Sequence, residues 1–191
     1  MRWMTLAVLT LGLTIGLTGC PAGDGDGPDE GRLPDPLANP YPYDDACDGF
    51  EGTPVAGSMG WFVGEYALLD DGRVEGFEAW AHIVNDRWRE VSGAEDCKLV
   101  WNIAGVTGDP INCPSCQYSM SIDGTLNFEE SDCLPEFIQQ ESAPFTETYN
   151  VRENSDGSTD FIYSESGRPL GTGTSDRQSA NFRSDARCFF F

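Results

Sequence analysis

Beyond residue 46, polar and apolar positions alternate along much of this chain. Cys97, Leu99, Trp101 and Ile103 fall on one side of an extended chain, with Lys98 and Asn102 on the other. Cys116, Tyr118, Met120 and Ile122 repeat the pattern against Gln117, Ser119 and Ser121. Successive side chains of a strand point to opposite faces, so a period of two marks half-buried strands. The stretch between the runs, GVTGDPINCPS, is rich in turn formers, and the pair predicts an antiparallel hairpin. Ala56 to Leu69 and Arg73 to Val84 flank Asp70-Asp71-Gly72, a second hairpin signal. Phe145 to Arg152 alternates again, Asn154 to Gly157 turns the chain into Asp160 to Ser164, and Ser166-Gly167 turns it once more before Ala180 to Phe191. Helix is expected only in two short pieces, Asn85 to Val91 and Leu134 to Glu141. Many short strands separated by Gly and Asp turns predict an all-β domain, an antiparallel sandwich or small barrel.

The first residues follow a different pattern. Arg2 precedes an apolar run from Thr5 to Leu17, which at about thirteen residues is shorter than the roughly 20 needed to span a bilayer. The run ends in Leu17-Thr18-Gly19-Cys20, which resembles the lipobox of bacterial lipoprotein signal peptides. The resemblance implies that residues 1–19 are a signal peptide, that cleavage falls before Cys20, and that Cys20 is acylated. Several acyl chains anchor a protein stably where one does not. In enteric lipoproteins an Asp after the acylated cysteine retains the protein at the inner membrane. Pro21 stands there instead, so the resemblance implies the outer membrane.

Residues 20–45 are rich in Pro, Gly and Asp and poor in apolar side chains, as expected of a flexible tether. Asp24-x-Asp26 opens like a calcium loop, but the fifth place is Pro28, the sixth is Asp29 and the twelfth is Asp35. Those departures make it a solvated spacer. Residues 46–191 are enough for one domain with its own core.

Charge narrows the partners. The chain carries 11 Lys+Arg against 32 Asp+Glu, a net −21, one unit more negative once Arg2 is removed. It has no basic footprint for nucleic acid or anionic lipid headgroups. Membrane contact is therefore expected through the acyl chains on Cys20, with no nucleic-acid partner.

Setting Cys20 aside leaves Cys47, Cys97, Cys113, Cys116, Cys133 and Cys188, an even number in an exported chain, which argues for three disulfides. Cys97 begins the first strand of the central hairpin and Cys116 the second, so they lie at opposite ends, roughly 20 Å apart at about 3.3 Å per residue. A bridge needs Cα atoms within about 7 Å. Cys133, beyond the second strand, can return to the Cys97 end, while Cys113 and Cys116 sit together at the other. Cys47 and Cys188 would tie the two ends of the domain. The Cys97–Cys133 bridge is expected to be the main brace.

The chemistry-bearing residues are sparse. The four central cysteines contain only one CxxC, where zinc ribbons use two, so no metal is expected. Cys113-Pro-Ser-Cys116 resembles the active-site turn of glutaredoxins, but a strand pattern follows where a helix would acidify the thiol. His82, the single histidine, lies in the apolar run EAWAHIV and reads as packed, and Ser58 lacks the first glycine of a nucleophile elbow. Glu129, Glu130 and Asp132 cluster as chance allows among so many carboxylates, and Gly171-Thr172-Gly173 lacks the lysine of a phosphate loop. Trp101 reads as core, and Trp88, in NDRWRE, as a rim residue or a stacking surface for a sugar or partner.

The layout of lipobox, acidic tether, then a β domain with Cys-x3-Trp and CxxC resembles uncharacterised lipoproteins of the myxobacterial type. No activity follows from that resemblance. The reading is a non-enzymatic, outer-membrane-anchored lipoprotein with a structural or binding role and no cofactor. Its alternatives are a periplasmic thiol-disulfide oxidoreductase using Cys113 and Cys116, and a module that binds carbohydrate or a surface polymer.

Overall fold

Hairpin register decides between sandwich and barrel. A computed structural model describes Leu37 and residues 47–191; the expected signal peptide, Cys20 and most of the expected tether lie outside the described residues. The first strand, β1 (Gly57–Leu68), pairs antiparallel with β2 (Arg73–Val84), and the meander continues through β3 (Cys97–Gly108), β4 (Tyr118–Leu126), β5 (Phe145–Glu153), β6 (Thr159–Tyr163), β7 (Pro169–Ser175) and β8 (Ser179–Arg183). Then β8 returns to the free edge of β1, with Val63 opposite Arg183 and Ala67 opposite Ser179. That pairing closes an eight-stranded antiparallel barrel. A last strand, β9 (Arg187–Phe190), takes the rest of the same edge, Gly57 to Gly60. Closure leaves none of the eight staves with an unpaired long edge, the usual template for aggregation.

Two short helices interrupt the meander, α1 (Asp86–Ser92) between β2 and β3 and α2 (Pro135–Gln140) between β4 and β5. Both lie at the same end of the barrel, since β2 and β4 run toward it. Among the described residues the opposite end carries only turns, including Leu69–Gly72 and the CPSC turn.

The alternation sorts side chains between two cores. Inward-facing Tyr66, Trp101, Ile103, Met120, Ile122, Tyr149, Phe161 and Phe182 fill the barrel and are all at most 5% exposed. An eight-stranded barrel has an interior just wide enough for such filling. The outward faces of β1 and β2 are also buried. Met59, Trp61, Ala81 and Ile83 pack beneath Cys47 and Phe50 of the segment before β1. Coverage on both faces explains why GSMGW shows no alternation of burial.

Two differences from the sequence reading share one cause. The first strand of the central hairpin continues through Gly105 to Gly108, and PLGTGTS, to which the sequence reading assigned no element, is β7. Glycine there permits close backbone approach. A Cβ on Gly105 would stand 2.2 Å from the Ser121 carbonyl oxygen, and one on Gly173 would stand 1.9 Å from that of Asn181. In addition, Cys116 precedes β4 by two residues and belongs to the turn.

The three disulfides join Cys47 to Cys188, Cys97 to Cys133 and Cys113 to Cys116, with Cα separations of 5.9, 4.8 and 5.4 Å. Cys97–Cys133 fastens the connection carrying α2 to the start of β3. Asp132 strengthens the same seam: its carboxylate accepts from the Lys98 amide at 2.7 Å, and its own amide donates to the Lys98 carbonyl. By loop length alone Cys47–Cys188, spanning 141 residues, constrains the unfolded chain more, but it ties terminal segments outside the barrel wall.

A bridge across 36 residues contributes about 3–4 kcal/mol in chain-entropy terms. Replacing Cys97 and Cys133 together by Ser should lower the melting temperature by about 6–16 °C. Replacing Cys113 and Cys116 should cost clearly less. The reverse order in thermal melts would make the CPSC turn the real staple.

Candidate functional site

The helix-bearing end of the barrel holds the cleft that concentrates chemistry. Inward alternation along β2 carries Val74, Gly76, Glu78, Trp80 and His82 up one wall, and the last two emerge at the rim. Opposite His82 in the register stands Gly60, whose missing side chain leaves room for the Trp80 indole: a Cβ there would lie 2.7 Å from Nε1.

Trp88 is placed by the start of α1. Asn85, buried at 1% exposure, is the N-cap. Its Oδ1 accepts from the amides of Trp88 and Gly57, both at 3.0 Å, and its amide group donates to the carbonyls of Val55 at 2.9 Å and Phe50 at 3.3 Å. Capping of this kind contributes about 1 kcal/mol to a helix, and here it also locks α1 onto β1. At the far end of the connection, Asp96 accepts from the Val84 amide at 2.9 Å and pairs with Arg89 at 2.5 Å.

These elements bring five rings together. The Trp80 and His82 centroids lie 4.8 Å apart, and Phe137 of α2 lies 5.5 Å from Trp80, all three planes within 20° of parallel. Trp88 stands edge-on to His82 at 6.1 Å, and Phe191 edge-on to Trp88 at 4.8 Å. The cleft they line has a volume of about 620 Å³, with Glu95, Asp96 and Asp132 among its walls. Phe137 and Phe191 remain 40% and 71% exposed. Burial pulls the His82 imidazole below its ordinary value, against the opposing pull of Asp96, and keeps the ring uncharged at neutral pH. A second cleft of about 430 Å³ shares Trp80 and Phe189 but carries Arg168, Arg187 and Asp185.

Deeper in the barrel is a polar cluster that the sequence reading missed. Glu78, 4% exposed, accepts from the Tyr66 hydroxyl at 2.6 Å and meets that of Tyr149 at 3.1 Å. The Tyr149 hydroxyl also donates to Glu147. The Tyr149 hydroxyl thus stands between two carboxylates, and the repulsion between Glu78 and Glu147 favours the protonated form of Glu78. Desolvation, helped by the nearby Glu147, pushes Glu78 up to about 7 while the tyrosine hydrogen bonds pull the other way. The available signal was parity, since Glu78 shares the inward face of β2 with Val74 and Trp80.

The remaining predicted residues divide plainly. Trp101 is core, at 5% exposure, as expected. His82 is packed as expected, but against other rings at a rim. Trp88 is half-buried in the cleft. Ser58 is buried at 3% exposure. Cys113 and Cys116 lie bridged in a turn that runs into β4, with the Cys116 amide donating to the Cys113 carbonyl. Of the acidic trio, Asp132 reaches the cleft, whereas the Glu129 and Glu130 amides are held by Asn127. Among the described residues no three His, Cys, Asp or Glu side chains gather as a metal site.

No protein-family model matches the chain, and no curated protein matches it in sequence.

Glu78 makes stability depend on pH in a definite direction. Its folded value lies above the unfolded one, so the stabilisation is complete below about pH 4.5 and is lost as pH rises through about 7. Between pH 5 and pH 9 wild type should lose about 2–3 kcal/mol relative to Glu78→Gln. Denaturant titrations at the two pH values check this, and parallel pH profiles for the two proteins would refute it.

Proposed function

We propose that this protein is a membrane-anchored binding protein, fastened by acyl chains on Cys20 at the outer membrane and presenting the aromatic cleft of its barrel to a small ligand. The observation that carries the reading is the cleft itself. Large aromatic side chains from β2, α1, α2 and the C-terminal segment converge on about 620 Å³ of open space instead of filling it. Sites for small molecules are typically concave, aromatic-lined and furnished with a few polar groups, and the mouth of a barrel is a favoured place for them. The lipobox-like Leu17-Thr18-Gly19-Cys20 and the acidic tether support anchoring at a distance from the bilayer. The reading assigns no catalytic step. Cys113 and Cys116 lack a helix N-terminus that would activate a thiol, which favours a binding role over thiol-disulfide exchange.

Two measurements test the two halves of the reading. Cys20→Ser should move the protein from the membrane fraction to the soluble one, and retention with unchanged processing would rule out lipid anchoring. A thermal-shift screen of small molecules and glycans should find ligands that raise the melting temperature of wild type but not of Trp88→Ala. A screen without any Trp88-dependent shift would remove the cleft from consideration. A glycan among the hits would favour the carbohydrate form of the reading.

A further inference from the structure

We infer that the ligand of the aromatic cleft is an organic cation, a quaternary or protonated alkylammonium group held against the faces of Trp80 and Trp88 and balanced by Asp132 and Glu95. The inference rests on the cleft being the binding site proposed above and adds the chemical class of what enters it.

Ring geometry is the first support. Trp80, His82 and Phe137 are nearly parallel, within 20°, while Trp88 stands at 88° to His82, so the walls form a corner with aromatic surfaces in two directions. The face of an aromatic ring carries the negative part of its quadrupole, and a cation within about 6 Å of a ring centroid is attracted to it, most strongly by Trp. A corner lets one rounded ammonium group meet several rings at once. A flat sugar would instead lie on a single exposed face.

Charge is the second, independent support. The acidic side chains Glu95, Asp96 and Asp132 line the cleft, and among the described residues no Lys or Arg does. Asp96 is already paired with Arg89. Asp132 and Glu95 form no salt bridge among the described residues, and both are exposed at the rim where a bound cation would meet them. His82, kept uncharged by burial, adds no competing positive charge. The neighbouring cleft provides an internal contrast: it shares Trp80, but Arg168 and Arg187 outweigh Asp185 in its wall and disfavour a cation there. The net charge of −21 draws cations toward the molecule as a whole.

The test uses the full chain purified in a non-ionic detergent, with tryptophan fluorescence as the readout. Choline is titrated beside 3,3-dimethylbutan-1-ol, which has the same shape with carbon in place of the charged nitrogen. Choline should bind saturably, and the neutral isostere about tenfold more weakly or worse. Trp80→Leu should abolish the choline response. Asp132→Asn, which keeps an acceptor for the Lys98 amide and so spares the fold, should weaken choline without affecting the alcohol. Glycerophosphocholine separates the two sources of such a group. Affinity equal to that of choline assigns the site to a lipid headgroup, and loss of affinity assigns it to a small free cation. Equal binding of choline and the alcohol would overturn the cation while leaving the cleft as a binding site. Failure of choline to bind, alongside Trp88-dependent ligands of other chemistry in the thermal-shift screen, would do the same. Failure of both experiments would overturn the cation and the binding role together.

Discussion

Closure of the barrel through β1 is the constraint on which the other features rest. One edge of β1 pairs along its length with β2, and the other is divided between β8 and β9. Without the second edge the meander would be an open, twisted sheet with an apolar face toward water. With it, Tyr66 from β1 meets Phe161 and Phe182 from the far end of the chain, and the interior becomes a packed core. The pairings of β1 with β8 and β9 are non-local, joining residues more than a hundred positions apart. The loop entropy they overcome is large, and a small acidic domain with long-range pairing gains from covalent braces. Cys47–Cys188 ties the segment before β1 to β9 beside that closing seam.

Filling the barrel creates a problem at its centre. A carboxylate inside a low-dielectric interior costs free energy unless it is hydrogen-bonded or neutral. Glu78 meets both conditions, flanked by Tyr66 and Tyr149 and protonated in much of the population near pH 7. The hydrogen-bond chain crosses the barrel from β2 to β5, linking opposite walls directly. Above this layer the interior opens toward the helix-bearing end, where the rings of Trp80 and His82 no longer find an apolar ceiling. The aromatic cleft is thus the continuation of the core stack beyond the point where the barrel stops enclosing it.

The Cys97–Cys133 bridge serves both parts of the molecule. It fastens the connection that carries α2, so the same covalent link that braces the barrel end also positions Asp132 and Phe137 at the cleft. Asn85 plays the corresponding part for α1 by hydrogen bonds instead of a covalent bond. The rigidity of the cleft is therefore borrowed from the wall beneath it, the kind of preorganisation that the proposed binding role would use.

Local chemistry determined much of this in advance. Period-two alternation places strands at Cys97–Ile103, Tyr118–Ile122 and Phe145–Arg152, because a pleated backbone turns successive side chains to opposite faces. Asp-Gly and Ser-Gly turns mark several of the hairpins, and strand length separates Cys97 from Cys116 while leaving Cys133 able to reach it. Gly105 and Gly173 were opaque, since glycine serves a tight turn and a crowded strand equally well and only the neighbouring backbone distinguishes them. Sandwich against barrel was equally closed to inspection, because alternation records which face a residue takes and not which strand its edge will meet. The convergence of Trp80, His82, Trp88, Phe137 and Phe191 depends on that edge pairing. These residues are spread over four separate elements, and no spacing along the chain measures the distance across the mouth of a closed barrel.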